Sequence, residues 1–185
     1  MITNTATNCV SASASGTVTV NPNPTVTVNS PTVCTGATAT VTATPGVAGA
    51  YTYNWTVPTG VTNPGSVASF TTTVTGTYSV VISNGTCSST SASGTVSNYA
   101  VPTISGTTTL CQSSTTQLSG SGTPAAVNPW MSSDATIATV SNTGLVSGIA
   151  GGTVTITYTT VNGCTTTIPV TVNPTITPTF NFATV

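Results

Sequence analysis

The sequence predicts an all-β protein built from sandwich domains in tandem, and three observations support that prediction. Several stretches alternate apolar residues with Thr at a period of two, the pattern of strands with one buried and one solvated face. Gly, Pro and Asn interrupt the chain about every 8 to 12 residues, the usual spacing of turns in a sandwich. The cysteines recur at regular spacings. Cys34 and Cys87 are 53 positions apart (87 − 34), as are Cys111 and Cys164 (164 − 111), and the second pair lies 77 positions after the first (111 − 34).

The beginning of the chain falls on the same period. Cys9 lies 78 positions before Cys87 (87 − 9), and residues 13–18 have the same sequence as residues 91–96. A period of this length indicates one small domain per repeat. The predicted divisions are the C-terminal strands of a truncated repeat at 1–22, complete repeats at 23–100 and 101–174, and the start of a further repeat at 175–185.

The individual elements follow from the alternation and from the turns. Proline-containing junctions at 21–24, 98–102 and 173–174 separate the repeats, and proline predicts short, semi-rigid connections. The pairs Asn84-Gly85 and Asn162-Gly163 each precede a cysteine and favour type I′ hairpin turns. Strands are predicted at 17–20, 25–28, 37–44, 51–55, 76–82 and 153–158.

Aromatic residues define the predicted cores. Alternation places Tyr51, Tyr53 and Trp55 on one face of a central strand, and Tyr78 follows a glycine-containing corner. Immunoglobulin-like sandwiches fill their centres in this way, so the predicted fold is tandem immunoglobulin-like β-sandwiches arranged end to end. Trp55, Tyr78 and Trp130 are predicted core aromatics. The alternative is an exposed aromatic platform for a sugar ring.

Composition excludes several function classes. The 185 residues contain no Lys, Arg or His, and Asp134 is the only acidic residue. General acid-base catalysis and metal binding need titratable groups that this chain lacks, so we predict no enzymatic activity, no metal site and no cofactor. Nucleic-acid binding depends on basic residues, and no apolar run is long enough to span a membrane. Asp134 is predicted to form an Asx turn.

The cysteines are predicted to reinforce each repeat. Their equal spacing favours Cys34–Cys87 and Cys111–Cys164 disulfides, and leaves Cys9 unpaired or paired outside this sequence. Disulfides and an uncharged Thr/Ser/Gly/Asn surface indicate an extracellular, exported protein. Because the first residues do not form a signal peptide, we expect the export signal elsewhere in a longer polypeptide.

Residues 130–158 carry a resemblance to a known family. The runs Trp130–Asp134, Ile137–Val140, Thr143–Gly148 and Gly152–Ile156 look like the signature of the bacterial immunoglobulin-like group 2 domain, at 101–174. The repeat at 23–100 resembles the PKD-like immunoglobulin modules. The Thr-rich tandem arrangement is similar to the SprB-type gliding adhesins of Bacteroidetes. That resemblance implies type IX secretion, cell-surface location and gliding motility.

The predicted function is a non-enzymatic shaft segment of an exported cell-surface adhesin. Its expected partners are neighbouring repeats of the same polypeptide, with surface polysaccharide and the export and motility machinery as further partners that the resemblance implies. Three alternatives stay open at this point. They are a self-associating extracellular filament subunit that uses strand addition, a carbohydrate-binding module, and repeats that flank a catalytic domain.

Overall fold

A computed structural model describes residues 1–18 and 20–176, and every regular element in that part of the chain is a β-strand. The all-β prediction is therefore confirmed. Most of the predicted start of a further repeat, residues 177–185, lies outside the described residues. The strands are β1 Val26–Val28, β2 Thr32–Cys34, β3 Ala39–Pro45, β4 Thr52–Thr56, β5 Ser69–Thr72, β6 Gly76–Ser83, β7 Ala92–Tyr99, β8 Ile104–Gly106, β9 Thr109–Cys111, β10 Thr115–Gly120, β11 Trp130–Ser132, β12 Ala138–Val140, β13 Leu145–Gly148, β14 Gly152–Thr159 and β15 Thr165–Asn173.

Strands β1 to β7 form the first sandwich, and β8 to β15 form the second. One sheet of the first has the order β1-β3-β5 and the other β2-β7-β6-β4. The second repeats this plan, with β8-β10-β13-β12 in one sheet and β9-β15-β14-β11 in the other. The described sheets never mix strands of the two sandwiches, so each repeat is a separate immunoglobulin-like unit and the predicted tandem sandwich fold is confirmed.

The first part of each sandwich changes from one sheet to the other. In the first repeat, β1 pairs antiparallel with β3, and β2 then pairs parallel with the last strand, β7. Asn29 lies between β1 and β2, at the crossing point where the chain passes from one sheet to the other. Its side chain donates to the Thr40 carbonyl (2.9 Å) and accepts from the Thr42 amide (2.8 Å). In the second repeat β8 pairs with β10 and β9 pairs parallel with β15. The parallel strands β2 and β9 each end at a cysteine.

Period-two alternation explains both cores. Strand β3 buries Ala39, Val41 and Ala43 while its Thr residues face outward, and β6 buries Tyr78, Val80 and Ile82. The second core has the same construction. Its buried members are Leu110, Leu118, Trp130, Ala138, Val146, Val154, Ile156, Tyr158, Val170 and Val172.

Two local predictions were wrong. Residues 17, 18 and 20 form no strand, because the described structure offers this segment no neighbouring strand for ladder hydrogen bonds. The two Asn-Gly turns are not type I′, since only the glycines have positive φ (89° at Gly85 and 77° at Gly163). Gly163 instead completes a three-residue hairpin loop, in which its amide donates to the Thr160 carbonyl and the Thr160 amide donates to the Cys164 carbonyl (2.9 Å each).

Candidate functional site

A covalent bond joins the two repeats. Cys34 at the end of β2 forms a disulfide with Cys164, which lies between β14 and β15, and the two Cα atoms are 5.6 Å apart. The bond spans a sequence separation of 130 residues. Cys164 is buried and Cys34 is half-buried. Cys9, Cys87 and Cys111 are free thiols.

This bond corrects the predicted pairings of Cys34 with Cys87 and of Cys111 with Cys164. Within the first repeat Cys34 lies opposite Tyr99, at the last residue of β7, whereas Cys87 lies in the hairpin before that strand begins. The eight residues of β7 separate the two ends by roughly 23 Å at the usual rise per residue. Cα atoms in a disulfide are at most about 7 Å apart, so the bond cannot form inside the folded repeat.

The second repeat has the same geometry. Cys111 lies opposite Asn173, the last residue of β15, and Cys164 directly precedes the first residue of that strand. The nine residues of β15 place the two cysteines roughly 27 Å apart. Each folded repeat therefore carries one cysteine at each end of its long axis. The bond joins the end of the first sandwich at which β7 finishes to the adjacent end of the second sandwich.

Polar groups at the junction are paired as well. The Tyr99 carbonyl accepts hydrogen bonds from both the amide and the hydroxyl of Thr35, each 3.0 Å long. Pro102 is buried in the connection that follows. On the side of the second repeat, the buried Thr160 hydroxyl donates to the Cys164 carbonyl (3.2 Å), and the Val161 amide donates to the Thr123 carbonyl (2.9 Å). These bonds fix the hairpin that presents Cys164 to the first repeat.

The junction also encloses a small cleft of about 230 Å³. Its walls are the connection between the repeats and two loops of the second repeat, at 99–102, 121–123 and 160–162. The walls contain no charged side chain.

The three predicted core aromatics are all buried. Trp55 is 2% exposed, Tyr78 0% and Trp130 6%. The Trp55 indole donates to the Val67 carbonyl (2.8 Å). The Tyr78 hydroxyl, near the start of β6, donates to the Val74 carbonyl four residues upstream (2.8 Å), which is the tyrosine-corner arrangement of immunoglobulin-like sandwiches.

Two further aromatic residues complete these cores, and the sequence reasoning missed both. Phe70 packs between Trp55 and Tyr78, with ring centroids 5.0 and 5.7 Å away, and Tyr158 packs against Trp130 at 4.5 Å. The signal for Tyr158 was its place at an inward position of the 153–158 alternation. Among the described aromatic side chains only Tyr99 is exposed, so that part of the chain presents no row of rings to a sugar.

The only carboxylate side chain forms a local turn, as predicted. Asp134 Oδ1 accepts from the Thr136 amide (2.8 Å) and from the Thr136 hydroxyl (2.6 Å). These hydrogen bonds hold the pKa of the Asp134 carboxyl below its ordinary value. Among residues 1–18 and 20–176 no cluster of three metal-ligating side chains occurs, and none of the described segments is a helix that could cross a membrane.

Comparisons with known proteins agree with this picture for the second repeat. Residues 100–172 match the family model of the bacterial Ig-like domain (group 2), as the resemblance at 101–174 predicted. A search of curated proteins finds no match. The predicted resemblance of 23–100 to PKD-like modules remains a prediction.

Solved structures that match this chain include two of intimin and one of titin. An intimin mutant of EHEC O157:H7 is 21% identical over 39% of this chain and 46% of its own, with a TM-score of 0.33. An intimin fragment in complex with the intimin-binding domain of its translocated receptor is 19% identical over 72% of this chain and 58% of its own, at 0.40. A three-domain titin fragment is 12% identical over 84% of this chain and 66% of its own, at 0.44. The chain thus spans less than half of the first of these structures.

Proposed function

We propose that this chain is a shaft segment of an exported cell-surface adhesin, with its immunoglobulin-like repeats held end to end by covalent junctions. The observation that supports the proposal is the Cys34–Cys164 bond, which ties the end of the first sandwich at which β7 finishes to the second sandwich. A shaft has to keep its domains in line under load, and a covalent bond beside a short proline-containing connection does so. The repeats in this proposal are 23–100 and 101–174, with 1–22 and 175–185 belonging to adjacent ones.

The chemistry of the surface supports an extracellular location. Disulfides persist in oxidising compartments, and the exposed faces of the strands carry mainly Thr and Ser rather than charges. Such a surface suits a spacer that avoids strong attraction to anionic or cationic partners. In this proposal the chain contributes no catalytic group, and its partners are adjacent repeats and, through the complete adhesin, a surface polysaccharide.

Small-angle scattering tests the shaft directly. Sandwiches with strands of eight or nine residues are roughly 30 Å long, so two in line should give a maximum dimension of at least roughly 60 Å. The parent chain should scatter as a stiff rod, and the Cys34→Ser variant as two units with a flexible joint. Cys87→Ser is the matched control, because it removes a thiol that forms no disulfide in this chain. A compact particle with the repeats side by side would contradict the proposal.

The resemblance to SprB-type adhesins extends the proposal to gliding motility with export by the type IX system. An antibody against residues 23–174 should then label intact cells, and brief protease treatment of the cells should remove the label. Signal that appears only after the cells are opened would refute a surface location.

A filament subunit is the second candidate, and one observation favours it. Residues 1–18 are exposed, and their only β-bridge is between Thr3 and Val10, within the segment itself. Such a segment is free to add a strand to a neighbouring molecule. Electron microscopy of the chain with and without residues 1–22 separates the candidates. Regular fibres that disappear on deletion would favour the filament, whereas a monomer in both cases favours the shaft.

A further inference from the structure

Two of the free cysteines occupy the same structural positions as the two bonded ones. Cys111 ends the parallel strand β9 and lies opposite Asn173, as Cys34 ends β2 and lies opposite Tyr99. The residue after each cysteine also repeats its contact: the Gln112 amide donates to the Asn173 carbonyl (2.8 Å), as the Thr35 amide does to Tyr99. Cys111 is thus the strand-end cysteine of its repeat.

Cys87 is the hairpin cysteine of the first repeat. It lies between β6 and β7, as Cys164 lies between β14 and β15. Its sulfur is 3.9 Å from the Asn21 carbonyl oxygen, so it faces the segment that enters the first repeat. In the same way Cys164 faces the end of the repeat before its own.

We propose that Cys34–Cys164 is one bond of a continuous series, in which the strand-end cysteine of every repeat bonds the hairpin cysteine of the repeat that follows. Cys111 then bonds a hairpin cysteine of a following repeat, and Cys87 bonds a strand-end cysteine of a preceding one. The inference rests on the tandem shaft proposed above, and it assigns a covalent partner to two thiols that are free in this chain.

The period of the sequence supports this series. The separation of 130 between Cys34 and Cys164 equals the within-repeat spacing of 53 plus one period of 77, so any following repeat in register places its hairpin cysteine at the same distance from Cys111. The path of the chain agrees, because the Thr175 amide and hydroxyl are each 3.5 Å from the Gln112 side-chain oxygen. The exit from the second repeat therefore passes beside Cys111.

The bond needs an oxidant, for which a small-molecule disulfide such as oxidised glutathione is sufficient. The Cys111 thiolate attacks this disulfide and releases one reduced thiol. The hairpin thiolate of the next repeat then attacks the mixed disulfide at the Cys111 sulfur and releases the second. Two protein thiols are oxidised to one disulfide, the small-molecule disulfide is reduced to two thiols, and the two protein protons end on those thiols.

The test extends the full chain by one repeat in register. A second copy of residues 98–174 is inserted between Pro174 and Thr175. The protein is refolded in a glutathione redox buffer and treated with iodoacetamide. Cys111 of the first copy should lose its labelling and appear by mass spectrometry bonded to Cys164 of the added copy. Cys111 of the added copy should stay labelled. Changing the added Cys164→Ser should restore labelling of the first Cys111.

A second extension tests the other end without depending on the first. Residues 23–78 placed before Met1 complete the truncated repeat, and their strand-end cysteine should then protect Cys87. Because each added repeat has its own core, its folding is checked by a separate unfolding transition. If an added repeat folds and the facing Cys111 or Cys87 remains alkylated, the series is refuted. Scattering on the unextended chain tests the shaft separately, so the two proposals can fail independently.

Discussion

Replacing Cys34 by Ser should destabilise both repeats, although only one of them contains the change. With the bond intact, neither repeat can unfold as an open chain, because each is held between the covalent connection at 100–102 and the disulfide. Unfolding either repeat produces a closed loop of about 65 residues, and closing a loop of this size reduces the entropy of the unfolded state by roughly 4 kcal/mol in free energy on the chain-entropy model. In the variant each repeat loses that contribution as long as its neighbour is folded. Unfolding the second repeat only enlarges the loop to about 130 residues, which adds roughly 0.6 kcal/mol.

The assay is thermal unfolding followed by calorimetry. For domains of this size about 1 kcal/mol moves the melting temperature by about 4 to 8 °C, so the repeat that unfolds first should melt roughly 15 to 30 °C lower, and the second transition should fall by only a few degrees. Cys164→Ser should give the same result, and the double variant should be no worse than either single one, since all three remove one bond. Cys87→Ser and Cys111→Ser are matched controls that should leave both transitions unchanged.

Cys34→Ser and Cys87→Ser could instead lower the melting temperature of the first repeat equally and leave that of the second repeat unchanged. In that case the bond lies within the first repeat and the junction is not covalent.

Three other predictions concern single side chains. Trp55→Ala and Trp130→Ala should each cost about 3 to 5 kcal/mol and unfold their own repeat, with the neighbouring transition still visible by calorimetry. Tyr78→Phe removes the buried hydroxyl that bonds the Val74 carbonyl and should cost about 1 to 3 kcal/mol in urea unfolding. Because the folded-state pKa of Asp134 is lowered, its contribution to stability is present above the ordinary carboxyl pKa and lost as pH falls through the folded value. Stability should therefore be flat between pH 5 and 7, and the decrease that the parent shows below about pH 4 should be smaller in Asp134→Asn.

Most of the fold could be predicted because the order of apolar and polar residues within each strand shows which of its faces is buried. The Ala-Thr-Val-Thr alternation of 37–44 requires one wet and one dry face, and β3 has both. Trp55 and Tyr78 are too large to leave exposed in a repeat with few aromatic residues, and both are in the core. These are local properties, and they need no knowledge of which strands are neighbours.

The disulfide could not be predicted for the opposite reason. A repeating sequence contains the spacing of 53 within one repeat and the spacing of 130 between repeats with equal regularity, so the period cannot distinguish them. The choice depends on the parallel pairing of β2 with β7, which places Cys34 at the end of the sandwich farthest from the hairpin. That pairing is a property of tertiary structure, since the two strands are separated by most of the repeat.

The crossing point between β1 and β2 provides a last test of how the junction is positioned. Gly94 lies in β7 without a positive φ, so its backbone would accept Ala, and an Ala there would reduce the entropy of the unfolded chain and favour folding. A Cβ at this position, however, would lie 2.0 Å from the carbonyl oxygen of Asn29. Asn29 cannot move freely, because its side chain bonds the Thr40 carbonyl and the Thr42 amide.

The steric term should therefore win, and Gly94→Ala should destabilise the first repeat by about 1 to 3 kcal/mol, the range usual for overpacking. Displacing Asn29 also loosens the start of β2, the strand that presents Cys34, so dithiothreitol should reduce the Cys34–Cys164 bond faster in this variant. Gly16→Ala is the control, since a Cβ there meets nothing within 4 Å. A Gly94→Ala variant with the stability and reduction rate of the parent would show that the disulfide itself positions β2, and that the crossing point at Asn29 does not.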